Sequence, residues 1–123
     1  MQTRQQTFTW NELDFLDWDE FRQMGPPIVK LEIQRIERLL AHNELDEGVR
    51  DGLLRARLEL VRFVAELEGP SAAQQLNIMS EHLRRAAFNV GIHAEQGSED
   101  ENGQIRYIAD RLGYIHNRMG LIY

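Results

Sequence analysis

The stretch from Val49 to Leu67, VRDGLLRARLELVRFVAEL, has two apolar stripes at helical spacing. At about 100° per residue, seven apolar residues gather on one side of a helix: Val49, Leu53, Ala56, Leu60, Phe63, Val64 and Leu67. A second stripe consists of Leu54, Leu58, Val61 and Ala65. A helix that is apolar on two sides must be covered on two sides. The pattern therefore predicts either the central helix of a bundle or a helix that forms part of a subunit interface.

Helical periodicity continues on both sides of this stretch, and no alternating apolar run predicts a strand. We predict five helices, at Trp10–Met24, Pro27–His42, Asp46–Glu68, about 71–91 and about 105–119, with Gly25-Pro26-Pro27 breaking the first from the second. The short link after His42 predicts that the second and third helices fold as an antiparallel hairpin. The expected fold is a single all-α domain of four or five helices built around this hairpin.

Three segments at the edges of the predicted helices have loop or tail character. We expect residues 1–8 to be a flexible N-terminus, and residues 94–103, which are rich in acids and glycine, to be a mobile acidic loop. Gly120 is the predicted stop of the last helix, which leaves residues 120–123 as an apolar C-terminal tail. We find no internal repeat and no second domain.

The composition of the 123 residues excludes several functional classes. The absence of cysteine excludes thiolate metal sites, disulfides and cysteine nucleophiles. No apolar run reaches the roughly 18 residues of a membrane span. The formal net charge of −6 argues against direct binding to nucleic acid. We therefore expect protein partners, including further copies of the chain, and neither cofactor nor membrane; the expected location is the cytoplasm, or the virion if a phage encodes the protein.

The segment from Glu12 to Phe21 contains five acids, five large apolar residues and no base. Its amphipathicity is imperfect and leaves two interpretations open. In one, it packs across the bundle and presents its acids to water. In the other, it docks into a basic, apolar groove of a partner, with Phe15, Trp18 and Phe21 as anchors, because aromatic anchors dominate binding energies.

Motifs of enzymatic or metal sites are sparse. The four histidines form no His-Glu-x-x-His pair and no paired Glu-x-x-His, so no metal site is predicted. The patterns of serine hydrolases, P-loops and dinucleotide sites are also absent.

One pattern resembles a nuclease motif. The pair Arg111 and His116 has the Arg-x4-His form of the small helical ribonucleases of the HEPN class, and this resemblance implies that both residues face one phosphate. Leu112 departs from the polar residue usual after the arginine. With 13 arginines, 4 histidines and permitted spacings of four to six residues, about 1.3 matches are expected by chance, and two occur, the second being Arg35 with His42.

These observations favour a non-enzymatic interaction or structural protein without a metal or cofactor. The surfaces expected to bind a partner are Leu54, Leu58 and Val61 on the third predicted helix, together with the aromatic anchors named above. The mechanism is burial of apolar helix faces in self-association or in docking to a larger protein assembly. A phage virion accessory protein and a host-inhibiting protein are two forms of this hypothesis. The alternative is a HEPN-like ribonuclease that uses Arg111 and His116.

Overall fold

The computed structural model describes residues 17–42, 44–93 and 99–122. Four α-helices account for most of these residues: α1 (Trp18–His42), α2 (Glu47–Glu68), α3 (Leu76–Gly91) and α4 (Glu99–Ile122), with a short 3-10 helix at Ala72–Gln75 before α3. No strand occurs in the described ranges. The chain is therefore a single all-α domain, as predicted.

The helices close into a bundle in which each helix packs on its neighbours in the chain and α4 returns to α1. Along α1 and α2 the contacts run in opposite directions, since Lys30 meets Glu68 while Glu37 meets Arg57. This is consistent with an antiparallel hairpin. The core contains the following fully buried large side chains: Phe21, Ile36, Leu39, Leu53, Leu60, Phe63, Leu67, Met79, Leu83 and Ile105.

Helix α1 continues through Pro26 and Pro27, so the predicted break between two helices is wrong. A proline inside a helix removes one backbone hydrogen bond and costs about 3 kcal/mol or more. Here the carbonyls that lose their donors belong to Arg22 and Gln23, which lie on the exposed side where water can replace the missing partner. The packing of α1 on α2 thus outweighs the preference of the two prolines for the end of a helix. The predicted start at Trp10 lies outside the described residues.

The close approach of α1 and α2 depends on Gly25, which lies one residue before the prolines. A Cβ atom at Gly25 would lie 2.9 Å from Leu67 Cδ2. Phe21, one turn earlier, is fully buried, and the Arg22 guanidinium donates a hydrogen bond to the Gly69 carbonyl at 3.2 Å. Contacts with α2 therefore stabilise the part of α1 that precedes the two prolines.

Both ends of α4 extend beyond the predicted helix. It begins at Glu99, within the segment predicted to be a loop, and it passes through Gly120 to Ile122. Acidic residue types such as those at 99–101 are favoured at a helix N-terminus by the helix dipole. A single glycine in a helix costs only about 1 kcal/mol relative to alanine, which is too little to stop a packed helix. Residues 1–16, 94–98 and 123 lie outside the described residues.

Gly52 allows the end of α3 to lie against α2, and we expect Gly52→Ala to destabilise the protein by about 1–3 kcal/mol. A Cβ atom there would lie 2.9 Å from the Asn89 carbonyl oxygen and would overlap the His93 ring. Backbone cannot yield as a flexible side chain can. Gly113→Ala is the control, because nothing lies within 4 Å of its added methyl group. Chemical denaturation measures both variants, and equal stabilities would contradict the prediction.

Candidate interaction surface

The second apolar stripe of α2 lies on the outside of the bundle. We call Leu54, Leu58, Val61 and Ala65 the outer stripe. Leu54 is 37% exposed, Leu58 49% and Val61 48%, and Ala65 is also exposed. All buried residues of α2 belong to its other side. Within the described part of the chain, the bundle therefore covers only one of the two apolar sides of α2.

Charged side chains border the outer stripe. On the side towards α1, Arg57 lies 3.9 Å from the Glu37 carboxylate, and Lys30 Nζ lies 3.1 Å from Glu68 Oε2. On the other side Arg55 pairs with Asp51 at 3.0 Å. Exposed pairs of this kind contribute only about 0–1 kcal/mol each. They give the stripe a polar rim, which is the composition typical of a protein interface.

The predicted aromatic anchors lie in different environments. Phe15 is outside the described residues. Trp18 is half-buried, with its ring centroid 5.9 Å from that of Phe21. Phe21 is fully buried and meets Phe63 edge-on, with 6.1 Å between the centroids. This burial corrects the prediction for Phe21: its side chain belongs to the core and is not available on the surface of this fold.

A second exposed apolar group lies on α3 and was not predicted from the sequence. Ile78, Phe88 and Ile92 are all exposed, and Phe88 is the most exposed at 61%. Arg84 and Arg85 lie on the same helix, and both pair with Glu81. The spacing of 78, 88 and 92 is less regular than that of the outer stripe, and Ile92 lies one residue beyond the end of α3, so helical periodicity does not predict this group.

Arg111 lies in a buried polar cluster between α1 and α4. Its guanidinium forms an ion pair with Glu32, and the two side chains are 2% and 0% exposed. Arg35 Nε lies 3.4 Å from the other carboxylate oxygen of Glu32. The Tyr107 ring faces both guanidiniums, with its centroid 5.1 Å from Arg35 Cζ and 5.7 Å from Arg111 Cζ. A charge-stabilised polar contact therefore holds α4 against α1.

Burial raises the pKa of the Glu32 carboxyl, and the positive charges of Arg111 and Arg35 oppose this rise. The buried residues of α2 and α3 carry no charged side chain, so these two helices place no further buried charge near the Glu32 carboxylate. One feature of the sequence points to this cluster: an acidic residue occupies a position where helical periodicity predicts an apolar one. Glu32 lies three residues after Val29 and four before Ile36, on the buried side of α1.

The two residues of the nuclease-like pattern contact different helices. Arg111 faces Glu32 on α1, whereas His116 Nε2 shares a hydrogen bond with Ser80 Oγ on α3 at 3.0 Å. The structure therefore does not bring the pair to one phosphate-sized site.

His82 also joins two helices. His82 Nδ1 lies 2.6 Å from Glu59 Oε1 across the contact between α2 and α3. Among the described residues, no group of three or more histidine or acidic side chains could hold a metal ion. His82 and His116 therefore serve as contacts between helices.

Comparisons with known proteins give no relative for this chain. No family model matches it, and neither the curated proteins nor the solved structures contain a match. Among the described helices, none is long and apolar enough to cross a membrane.

Proposed function

We propose that this chain is a non-enzymatic helical protein that acts by self-association through the outer stripe of α2, as a structural or accessory subunit. One observation carries the proposal: three large aliphatic side chains, Leu54, Leu58 and Val61, lie exposed in a line on a helix whose other side forms the core. Contiguous apolar patches on soluble monomers are usually small, and larger ones mark interaction sites.

The order of residues in the outer stripe suits a second copy of the same chain. The spacing from Leu54 through Leu58 and Val61 to Ala65 is four, three and four, and it reads the same in both directions. If two α2 helices pack antiparallel about a two-fold axis, Leu58 faces Val61 of the partner subunit, and the large Leu54 faces the small Ala65 of the partner subunit. A closed two-fold interface requires this self-complementarity.

On the flank of the stripe that faces α1, two opposite charges meet in this arrangement. Arg50 near the start of α2 and Glu68 at its end lie on the same flank, at distances from the middle of the stripe that differ by one residue. In the antiparallel pair, Arg50 therefore faces Glu68 of the partner subunit. Opposite charges at the rim favour one orientation of the pair over others.

Sedimentation or light scattering tests the proposal through the mass in solution. We expect the protein at tens of micromolar to have twice the 14.4 kDa of one chain. Leu58→Glu is expected to give a single chain, because a charge replaces the centre of the stripe while glutamate keeps a good helix propensity.

Ile78→Glu on α3 is the matched control, because Ile78 is exposed to nearly the same extent as Leu58. This variant should keep the doubled mass. A single 14.4 kDa species at every concentration would contradict self-association and would leave a different protein as the occupant of the stripe. Equal dissociation of the two variants would place the interface elsewhere.

A further inference from the structure

Helix α4 contains two similar consecutive heptads, so the prediction that the chain has no internal repeat is wrong for this helix. Residues 107–113 read YIADRLG and residues 114–120 read YIHNRMG. The two copies share tyrosine, isoleucine, arginine and glycine at the same positions, and they differ conservatively where one has leucine and the other methionine. Moving α4 by seven residues along its axis therefore brings a second tyrosine, isoleucine, arginine and glycine to the positions of the first copy.

The first copy contacts Glu32. Arg111 forms the buried ion pair, and the Tyr107 ring lies beside it. In the second copy, Tyr114 packs at the edge of the core and Arg118 has a buried Nε atom. The buried apolar residues of α4 follow the same heptad spacing: Ile105, Ile108, Leu112, Ile115 and Met119. A shift of seven residues keeps this spacing but takes Ile105 and Ile108 out of the core.

We propose that α4 docks on α1 in two registers, one heptad apart, and that Glu32 accepts the tyrosine–arginine pair of either copy. A shift of seven residues moves the helix by about 10.5 Å. It replaces Tyr107 and Arg111 by Tyr114 and Arg118. Because seven residues complete nearly two whole turns, the same face of α4 stays towards its neighbours.

Buried ion pairs and single buried polar residues are known to specify the register of packed helices. In α4 a register is allowed only if it brings an arginine to Glu32, and one register besides the observed one does so, with Arg118. A shift in the opposite direction brings Gln104 to Glu32 and leaves the carboxylate without a cationic partner from α4. The shift to Arg118 removes Ile105 and Ile108 from their buried positions. The observed register is therefore the more populated one.

The chain between α3 and α4 can supply the length that the shift requires. A residue spans about 1.5 Å in a helix and up to about 3.3 Å when extended. Unwinding roughly six residues at the start of α4 therefore provides about 10.5 Å. The sequence there includes Asp100 and Gly103, which are weak helix formers. The exchange moves α4 by nearly two turns along its axis.

Cysteine pairs measure the two registers directly, because the chain has no cysteine of its own. A Cβ atom at Gly91 lies 3.9 Å from Ala109 Cβ, which suits a disulfide, so Gly91→Cys with Ala109→Cys reports the observed register. Gly91→Cys with His116→Cys reports the shifted register, because His116 takes the place of Ala109 after seven residues. Mass spectrometry of the oxidised single chain gives the yield of each intramolecular disulfide.

We expect the 91–109 disulfide to dominate and the 91–116 disulfide to form in a small fraction of otherwise unchanged molecules. Arg111→Met should raise the 91–116 yield roughly tenfold or more, because Glu32 then finds its arginine only in the shifted register. Arg118→Met is the matched control and should lower that yield. If Arg111→Met loses its helical circular dichroism, Arg111→Lys replaces it, and a smaller rise is expected. An unchanged 91–116 yield in the folded variant would overturn the proposal.

Discussion

Replacement of Arg111 by methionine is expected to lower the free energy of unfolding by about 3–5 kcal/mol at neutral pH. The substitution leaves the fully buried Glu32 carboxylate with only Arg35, which lies 3.4 Å away and is 31% exposed. A buried charge that has lost its main partner is strongly destabilising. The shift of α4 to Arg118 does not remove the loss, because it gives up two buried isoleucines worth about 1.5–3 kcal/mol each. Urea denaturation measures the change.

The loss should shrink as the pH falls. Burial already raises the pKa of Glu32 above its usual value of 4.5, and removing Arg111 removes the largest influence that lowers it. A carboxyl with a higher pKa in the folded than in the unfolded state takes up a proton on folding. Its cost is therefore present above the folded-state pKa and disappears as the pH falls through that value towards 4.5. A stability difference that stays constant between pH 7 and pH 4.5 would contradict this explanation.

Adding Glu32→Leu to Arg111→Met should recover most of the lost stability at neutral pH, because a well-packed apolar pair often equals a buried ion pair. Arg55→Met serves as the control for loss of an arginine on the surface. Among the described residues Arg55 pairs with an exposed aspartate, so its replacement should change the stability by about 0.5 kcal/mol or less. A double variant no more stable than Arg111→Met would show that the loss has another cause.

Phe21→Ala is expected to lower the free energy of unfolding by about 3–5 kcal/mol, because the fully buried ring fills the space between α1 and Phe63. This ring lies on the part of α1 before the two prolines, where packing on α2 maintains the helix. Loss of the ring should therefore also weaken the first turns of α1. Chemical denaturation and helical circular dichroism report the two effects.

Phe88→Ala is the matched control on the surface of α3, where the ring is mostly exposed. Its stability should change by only about 0.5 kcal/mol. If Phe21→Ala kept its stability but lost self-association, the aromatic segment would act as a docking anchor, and its assignment to the core would be wrong.

Much of the fold followed from local patterns. The period of apolar residues predicted an all-α domain, the two-sided character of α2 and the end of α3 at Gly91. These features depend on which side chains lie on one face of a helix, and sequence spacing determines that directly. The outer stripe was found for the same reason: it is a pattern within one helix.

Features that depend on two helices were not predictable in this way. The prolines do not end α1, because contacts with α2 compensate their local cost. Phe21 is in the core, although its acidic surroundings suggested a docking segment. The cluster of Glu32 and Arg111 joins residues 79 positions apart in the chain, and neither residue alone indicates the other.

The sequence by itself determined the helical class and the apolar side of each helix, because both arise from backbone geometry and the period of the side chains. The tertiary structure alone decided which apolar side remained uncovered, which polar groups were buried together and which register α4 adopted. These outcomes depend on competition between contacts of distant residues, and the free energies that separate the alternatives are small compared with the total energy of the core.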